Sequence, residues 1–337
     1  MTGGGAPGAP GIIQCLLQAD WINLLVGDAD SEAVGRYLHS NFVQLPKAKD
    51  EGFIESVLSI CEKHNIQVIL PLVTRELFLL AKAKEAFSQK GISILVSSPE
   101  AVEIANNKAA CYQYLCSKGI AVPKFHIVNT KEEFIHAAFE LGHPQLDFCF
   151  KPSFSNGSRG FRIVSDSIDE SSQLFDNKPY NTYIAYPLAL SILSSKPFPQ
   201  LLVTEYLPGE EYSVDCLAEH GKARLVVPRL REKMVNGISV KGRFIEDASI
   251  IDYCTRIIEA VGLHGNIGIQ VRKKASGEPL LLEINPRVQG TIVAALGAGV
   301  NLPLLAVKNE LGIRIEPDEL NVRWGTHFTR YWTEVFH

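Results

Sequence analysis

Residues Leu280 to Gly290 read Leu-Leu-Leu-Glu-Ile-Asn-Pro-Arg-Val-Gln-Gly, an apolar strand that runs straight into a carboxylate, an amide and a guanidinium set two residues apart. Strand side chains alternate faces, so Glu283, Asn285 and Arg287 emerge on one side while Ile284 turns to the other. Upstream, Gly268 to Arg272 reads as a second strand, joined through Lys273 to Glu278. Taken as a tight hairpin turning at Ser276-Gly277, the pair sets Gln270 directly opposite Glu283 on a shared face. Such a chain has to build an antiparallel sheet with a polar face near its end. An edge hairpin with a merely solvated face is the plain alternative, and for Glu283 alone it would be preferred. Four convergent groups after the apolar run Leu280 to Leu282 argue otherwise. Two hard-oxygen side chains plus Asn285, beside an arginine, suit Mg²⁺ held jointly by protein and phosphate oxygens.

Three further segments bear on the same chemistry. Phe148 to Val164 reads as strand, lysine (Lys151), glycine-containing loop, strand. Gly157 and Gly160 permit unusual dihedrals and close backbone approach, so the amides of Ser158 and Arg159 can turn toward phosphate oxygens. No Gly-Lys-Ser/Thr follows and the next element is a strand, which excludes a P-loop; a plain hairpin turn stays open. Leu201 to Asp215 is a strand, a short connector and a second alternating strand from Tyr212. Glutamates on such a connector are usually solvated charge, the reading that fits Glu210. Asn106-Asn107-Lys108 opens a helical run from Ala109 to Ser117, and Lys108 adds a cation where helix N–H groups already favour anions.

In this order the segments resemble the ATP-grasp superfamily, and Gln-then-Glu-x-Asn-Pro-Arg resembles its carbamoyl-phosphate synthetase large-subunit branch. The resemblance spans roughly residues 1 to 310. It implies an α/β fold, α+β in the catalytic part, with a Rossmann-like N-terminal domain followed by a two-lobed ATP-grasp fold. Boundaries are expected at residues 1–100, 101–204 (small lobe with the glycine loop), 205–312 (large lobe with the metal site) and 313–337 (a capping tail). It further implies ATP with Mg²⁺ or Mn²⁺. Gln270, Glu283 and Asn285 match metal ligands, and Arg287 matches the contact to the transferred phosphoryl group. Lys108, Lys151 and the loop residues Gly157, Ser158 and Gly160 match phosphate-binding positions. Backbone groups near Glu205 and Leu207 match the adenine contact, and Glu211 the acid on the ribose hydroxyls. Many relatives carry Glu where this chain has Gln270, which leaves a bound cation more dependent on the phosphates. Arg231, in the basic run Arg229-Leu-Arg-Glu-Lys233, is assigned to phosphate or a substrate carboxylate; a solvent-facing strand is the alternative for that run.

Residues 1 to about 100 alternate helix and strand: helix Ile12–Gln18, strand Asn23–Val26, helix Glu51–His64, strand Val68–Leu72, helix Leu77–Gln89, strand Ile92–Val96. That pattern makes a small parallel layer. Gly3, Gly5 and Gly8 fit G-x-G-x-x-G, yet no strand precedes them and Pro7 and Pro10 interrupt the turn, so a dinucleotide role is not expected. The missing strand also suits a shortened start. Ser98-Pro99 and Thr130-Lys-Glu-Glu133 read as helix starts, and Asp247 to Val261 as an amphipathic helix stopped by Gly262. The polar stretch Asp166 to Pro199 reads as a lid-like insertion.

Composition narrows the classes. At 337 residues the chain suggests two or three domains, and a net charge of −4 argues against a general nucleic-acid surface. No apolar run approaches the ~20 residues of a membrane span. Seven cysteines without a C-x-x-C pair read as reduced, buried thiols of a cytoplasmic protein. No internal repeat and no ammonia-generating region is visible, so complete carbamoyl-phosphate synthesis is not expected. The expected activity is an ATP-dependent carboxylate–amine ligase acting on small molecules, either as a monomer or as a homodimer. Phosphorylation of bicarbonate or carbamate is the second reading, and a nucleotide-binding regulatory protein without turnover the third.

Overall fold

The computed structural model describes residues 1–154, 159–169, 171, 175, 182–194, 197–235 and 237–337. Their contacts divide them into two compact units: residues 1–106, 210–271 and 282–337 in the first, residues 107–209 and 272–281 in the second. The molecule is a mixed helix and sheet protein.

The first unit opens with a small parallel layer. Strands β1 (Val26–Asp28) and β2 (Phe42–Gln44) pair in parallel, as do β3 (Val68–Ile69) and β4 (Ser93–Ile94). Residues 1–4 bridge the two pairs through Gly27 N–H to the Met1 carbonyl at 2.9 Å, Thr2 N–H to Leu70 at 3.1 Å and Gly4 N–H to Gly27 at 3.0 Å. The first helix is Ala9–Leu16, with Pro10 in its opening turn. Proline lacks the N–H that a first turn leaves unpaired anyway, so it starts this helix where interruption was expected. The glycines upstream serve packing: a Cβ on Gly8 would lie 2.5 Å from the Gly290 Cα, and Gly5 N–H donates to Asp28 Oδ2 at 2.7 Å.

The larger sheet has the order β14-β13-β10-β11-β12-β15, where β10 is Glu211–Glu219, β11 Lys222–Val235, β12 Ile238–Phe244, β13 Gly265–Lys273, β14 Pro279–Asn285 and β15 His327–Thr329. Helix Ala248–Val261 starts on Asp247, whose Oδ1 accepts from Ser249 N (3.0 Å) and Ile250 N (3.2 Å), and ends at Gly262 in the left-handed region. Its buried stripe (Ile250, Tyr253, Cys254, Ile257, Ile258, Val261) has the spacing of one helix face.

The second unit is a five-stranded sheet of order β5-β9-β6-β7-β8, with β5 Phe125–Val128, β6 Phe148–Pro152, β7 Arg162–Val164, β8 Tyr183–Ile184 and β9 Leu201–Glu205. Helix Lys131–Glu140 covers it, Phe134 packing edge-on against Phe148 and Phe150. The hairpin turn joining β13 to β14 differs from the expected one. Lys274 N–H donates to the Glu278 carbonyl at 2.9 Å and Gly277, at φ +87°, donates to Lys274 at 3.0 Å. This is a three-residue loop with a glycine in the left-handed region rather than a two-residue turn. Pairing beside the turn is therefore offset by one residue, and Gln270 directly across from Glu283 no longer follows from it.

Candidate active site

Four adjacent strands carry the candidate groups of the first unit. Glu283 and Asn285 stand two apart on β14, and Asn285 Nδ2 donates to Glu283 Oε1 at 3.1 Å. They share a face, as strand alternation requires. Proline at 286 ends the ladder there, and Arg287 is fixed just beyond it. Its Nε donates to the Thr74 hydroxyl at 3.0 Å and its Nη1 to the Val288 carbonyl at 2.8 Å. Burial lowers the Arg287 pKa, while the Glu283 carboxylate opposes that shift. Thr74 starts the helix Thr74–Ser88. Nothing in the local sequence near residue 287 announces that partner, because it lies more than two hundred residues away.

The second group is centred on Arg231 of β11. Its Nη1 is ion-paired with Glu211 Oε1 of β10 and reaches Gln270 Oε1 of β13 at 3.4 Å. Nε donates to Ser239 Oγ at 3.1 Å, and Nη2 donates to the Gly237 carbonyl. Register pairs β10 with β11 at Tyr212↔Leu230, which brings Glu211 beside Arg231. All three nitrogens of this guanidinium are engaged by protein acceptors. Arg231 therefore holds Glu211 and Gln270 rather than standing open to a ligand. Isolated sequence inspection sees a basic run; only the cross-strand register reveals the clamp.

The remaining candidates belong to the second unit. Lys108 begins the helix Lys108–Ser117, capped by Asn107 Oδ1 on Ala110 N at 3.1 Å, and its own N–H donates to the Ser153 carbonyl at 3.1 Å. Lys151 lies on β6 with its Nζ 5.6 Å from the Tyr112 ring centroid. The two lysines are 7% and 9% exposed, and Ser153 connects their segments. Glu205 ends β9 and accepts Lys124 N–H on Oε1 at 2.8 Å, while Leu207 is buried. Beyond it the connector is held by Arg272, whose Nε donates to the Gly209 carbonyl at 3.0 Å and whose guanidinium carbon sits 5.1 Å from the Tyr206 ring. Gly160, at φ +78°, packs against Pro152. Gly157 and Ser158 lie outside the described residues, as do Asn236 and several positions of the polar stretch between Asp166 and Pro199.

Among the described residues no three His, Cys, Asp or Glu side chains gather around one point. The structure brings one carboxylate oxygen and one amide together at Glu283 and Asn285, while the Gln270 amide oxygen on β13 faces Arg231. That set is too weakly charged for a dedicated all-protein cage, and it suits Mg²⁺ or Mn²⁺ sharing ligands with phosphates. Six of the seven cysteines are buried, and burial pushes the Cys111 and Cys149 thiols up to about 12. They are protonated at neutral pH. Among the described residues no helix is long and apolar enough to cross a membrane.

Residues 12–95 match the family model described as PylC-like, N-terminal domain, and residues 197–329 match that of ATP-grasp in the biosynthetic pathway with Ter operon. The arginine-specific large chain of carbamoyl phosphate synthase from Bacillus subtilis is 26% identical over 266 residues, 75% of this chain and 23% of that protein. The large chain from Methanothrix thermoacetophila is 24% identical over 284 residues, 80% of this chain and 25% of that one. The chain thus spans about a quarter of the length of these curated relatives. In fold it is similar to N5-carboxyaminoimidazole synthetase from Staphylococcus aureus complexed with ADP, with a TM-score of 0.67, 14% identity and 99% and 92% of the two chains covered. The biotin carboxylase domain of 2-oxoglutarate carboxylase from Hydrogenobacter thermophilus, a dimer with MgADP and bicarbonate, gives a TM-score of 0.67 at 14% identity over 94% and 71%. The chain combines a PylC-like N-terminal domain with an ATP-grasp domain.

Proposed function

We propose that this ATP-grasp protein is an ATP-dependent ligase that phosphorylates a small-molecule carboxylate and joins the resulting acyl phosphate to an amine, releasing ADP and phosphate. The observation that carries the reading is the Glu283–Asn285 pair at the end of β14, hydrogen-bonded at 3.1 Å, with Arg287 anchored immediately after it. A carboxylate and an amide oxygen held together, followed by a fixed guanidinium, suit a phosphate-bound divalent cation and the phosphoryl group beside it.

In this reading Glu283, Asn285 and Gln270 supply oxygens to Mg²⁺ or Mn²⁺. When bound, that cation offsets negative charge on the nucleotide's phosphates. Arg287 contacts the phosphoryl group in transfer, and its fixed anchor limits the reorganisation needed there. Glu211 accepts the ribose hydroxyls, and the connector near Glu205 and Leu207 offers backbone groups to adenine. Lys108, Lys151 and the loop with Gly157, Ser158 and Gly160 neutralise phosphates. Arg231 acts by holding Glu211 and Gln270 in a fixed relation. The carboxylate oxygen attacks the γ-phosphorus and ADP leaves. The amine nitrogen then attacks the acyl carbon, and phosphate departs with the bonding electrons. No nucleophile of the protein is needed. Substrates are small molecules, and a homodimer is compatible with the dimeric neighbour.

Phosphorylation of bicarbonate or carbamate is the second reading, favoured by the similarity to carbamoyl phosphate synthase large chains. The two readings separate by which acceptor triggers ADP release from MgATP: bicarbonate alone, or a carboxylate with an amine. MgATP bound without turnover across a broad panel of acids and amines would instead mark a regulatory nucleotide-binding protein.

A further inference from the structure

Arg229 is fully buried, yet only part of its guanidinium is paired. Nε and Nη2 donate to one oxygen of Asp215, at 3.3 and 3.1 Å, and Nη2 also donates to the Thr291 hydroxyl at 2.7 Å. Among the described residues Nη1 has no hydrogen-bond partner, and neither does the other Asp215 oxygen. A water can serve both, and that accounts for the pair taken alone. It does not account for Arg330.

Register places Arg330 on the same face. Arg231 pairs with Gly242 and Gly242 with Phe328, and partners across a ladder share a face. Arg229 is two residues from Arg231, and Arg330 two from Phe328. The Phe328 ring lies 5.2 Å from the Arg229 guanidinium carbon, and a Cβ on Gly242 would lie 2.6 Å from that ring. Glycine at 242 is what lets the ring lie there. Arg330 N–H donates to the Val240 carbonyl at 2.7 Å, continuing the ladder. No carboxylate among the described residues pairs with the Arg330 side chain. Burial lowers its pKa, and the Arg229 charge lowers it further. Burial also raises the Asp215 pKa, against the pull of Arg229. By the same register Arg231 and Glu211 share this face as an ion pair, so three guanidiniums stand among its described residues with two carboxylates, and Arg330 is the one without a carboxylate partner. Like charges in such surroundings repel unless an anion joins them.

We propose that Arg330, with Arg229 behind it and the Thr291 hydroxyl beside them, forms an anion site that holds a carboxylate of the acid substrate. Arg330 makes the contact; Arg229 supplies positive field. Thr291, whose hydroxyl accepts from Arg229 Nη2, follows Arg287 by four residues on the same segment. The site's role in catalysis rests on the ligase reading, whereas its anion binding does not.

The test uses the full chain with sodium succinate as probe and sodium chloride at matched ionic strength. Succinate should raise the melting temperature of the wild type and leave that of Arg330→Ala unmoved. Without succinate, Arg330→Ala should melt no lower than the wild type, because a repulsion is removed. In turnover it should raise the KM for the acid about ten- to hundredfold, the scale of a charge-assisted hydrogen bond. MgATP affinity by calorimetry should be unchanged, and Arg330→Lys should recover part of the loss. Equal protection of both proteins by succinate, or an unchanged acid KM, overturns the proposal. So does equal protection by chloride, which means an adventitious ion only. A wild type that releases no ADP with any acid sinks the ligase reading, while succinate protection lost in Arg330→Ala would still support the anion site.

Discussion

Glu283 carries the only full negative charge among the three oxygen donors proposed for the cation, because Gln270 and Asn285 are amides. Glu283→Ala should therefore abolish metal-dependent ADP release while circular dichroism and melting temperature stay near wild type. Unaltered ADP release in that variant would remove β14 from the account. Glu76 makes a different prediction, about stability. It is 8% exposed, and burial raises its pKa to about 7, against the opposing hydrogen bond from the Thr2 hydroxyl at 2.6 Å. The nearby charges are Asp28, which adds to the shift, and the Met1 amino group, which opposes it. Folded protein then keeps this proton after the unfolded chain has lost it. Stability from Glu76 is complete below the ordinary carboxylate range and is lost as pH rises toward about 7. The loss is on the order of 3 kcal/mol at most. Urea unfolding from pH 5 to 8 should show wild type falling relative to Glu76→Gln; parallel curves would contradict the shift.

At the scale of elements, local chemistry was legible where short-range rules decide it. Asp247 ahead of Ala248–Val261 is a side-chain cap with its acceptor on two backbone N–H groups. Asp247→Ala should cost about 1 kcal/mol, seen as a lower urea midpoint at unchanged slope. An unchanged midpoint would mean that water or Ser249 serves those donors equally well. Thr130 likewise caps Lys131–Glu140, but the Glu133 carboxylate returns to Asn129 N–H instead of completing the reciprocal box. The helix expected over Ile12–Gln18 begins at Ala9, because Pro10 favours a first turn. The hairpin loop at Ser276-Gly277 is one residue longer than the tight turn its sequence suggests, since Gly277 in the left-handed region closes a longer loop as readily. Arg231's clamp and the Thr74 anchor of Arg287 were not legible at all. Both depend on pairings between distant segments, which no local pattern records.

For the whole molecule, the order of the motifs along the chain was more informative than any one of them. Lys108, Lys151, the Glu205–Glu211 connector, Gln270 and Glu283 follow the sequence order expected of an ATP-grasp chain, and the domain matches at residues 12–95 and 197–329 agree with that fold. Compact units are less linear than the chain: residues 272–281, the tip of the β13–β14 hairpin, cluster with residues 107–209. Substrate identity stayed illegible, because acceptor pockets in such enzymes are shaped by scattered positions that form no motif. The measurement that bears most directly on the central claim is trapping with hydroxylamine. Protein is supplied with MgATP and a panel of carboxylic acids, and hydroxamate is measured against ADP released. An acyl-phosphate-forming ligase should yield acid-dependent hydroxamate matched to ADP, lost in Glu283→Ala. ADP release with bicarbonate alone, or bound MgATP with no hydroxamate from any acid, would contradict it.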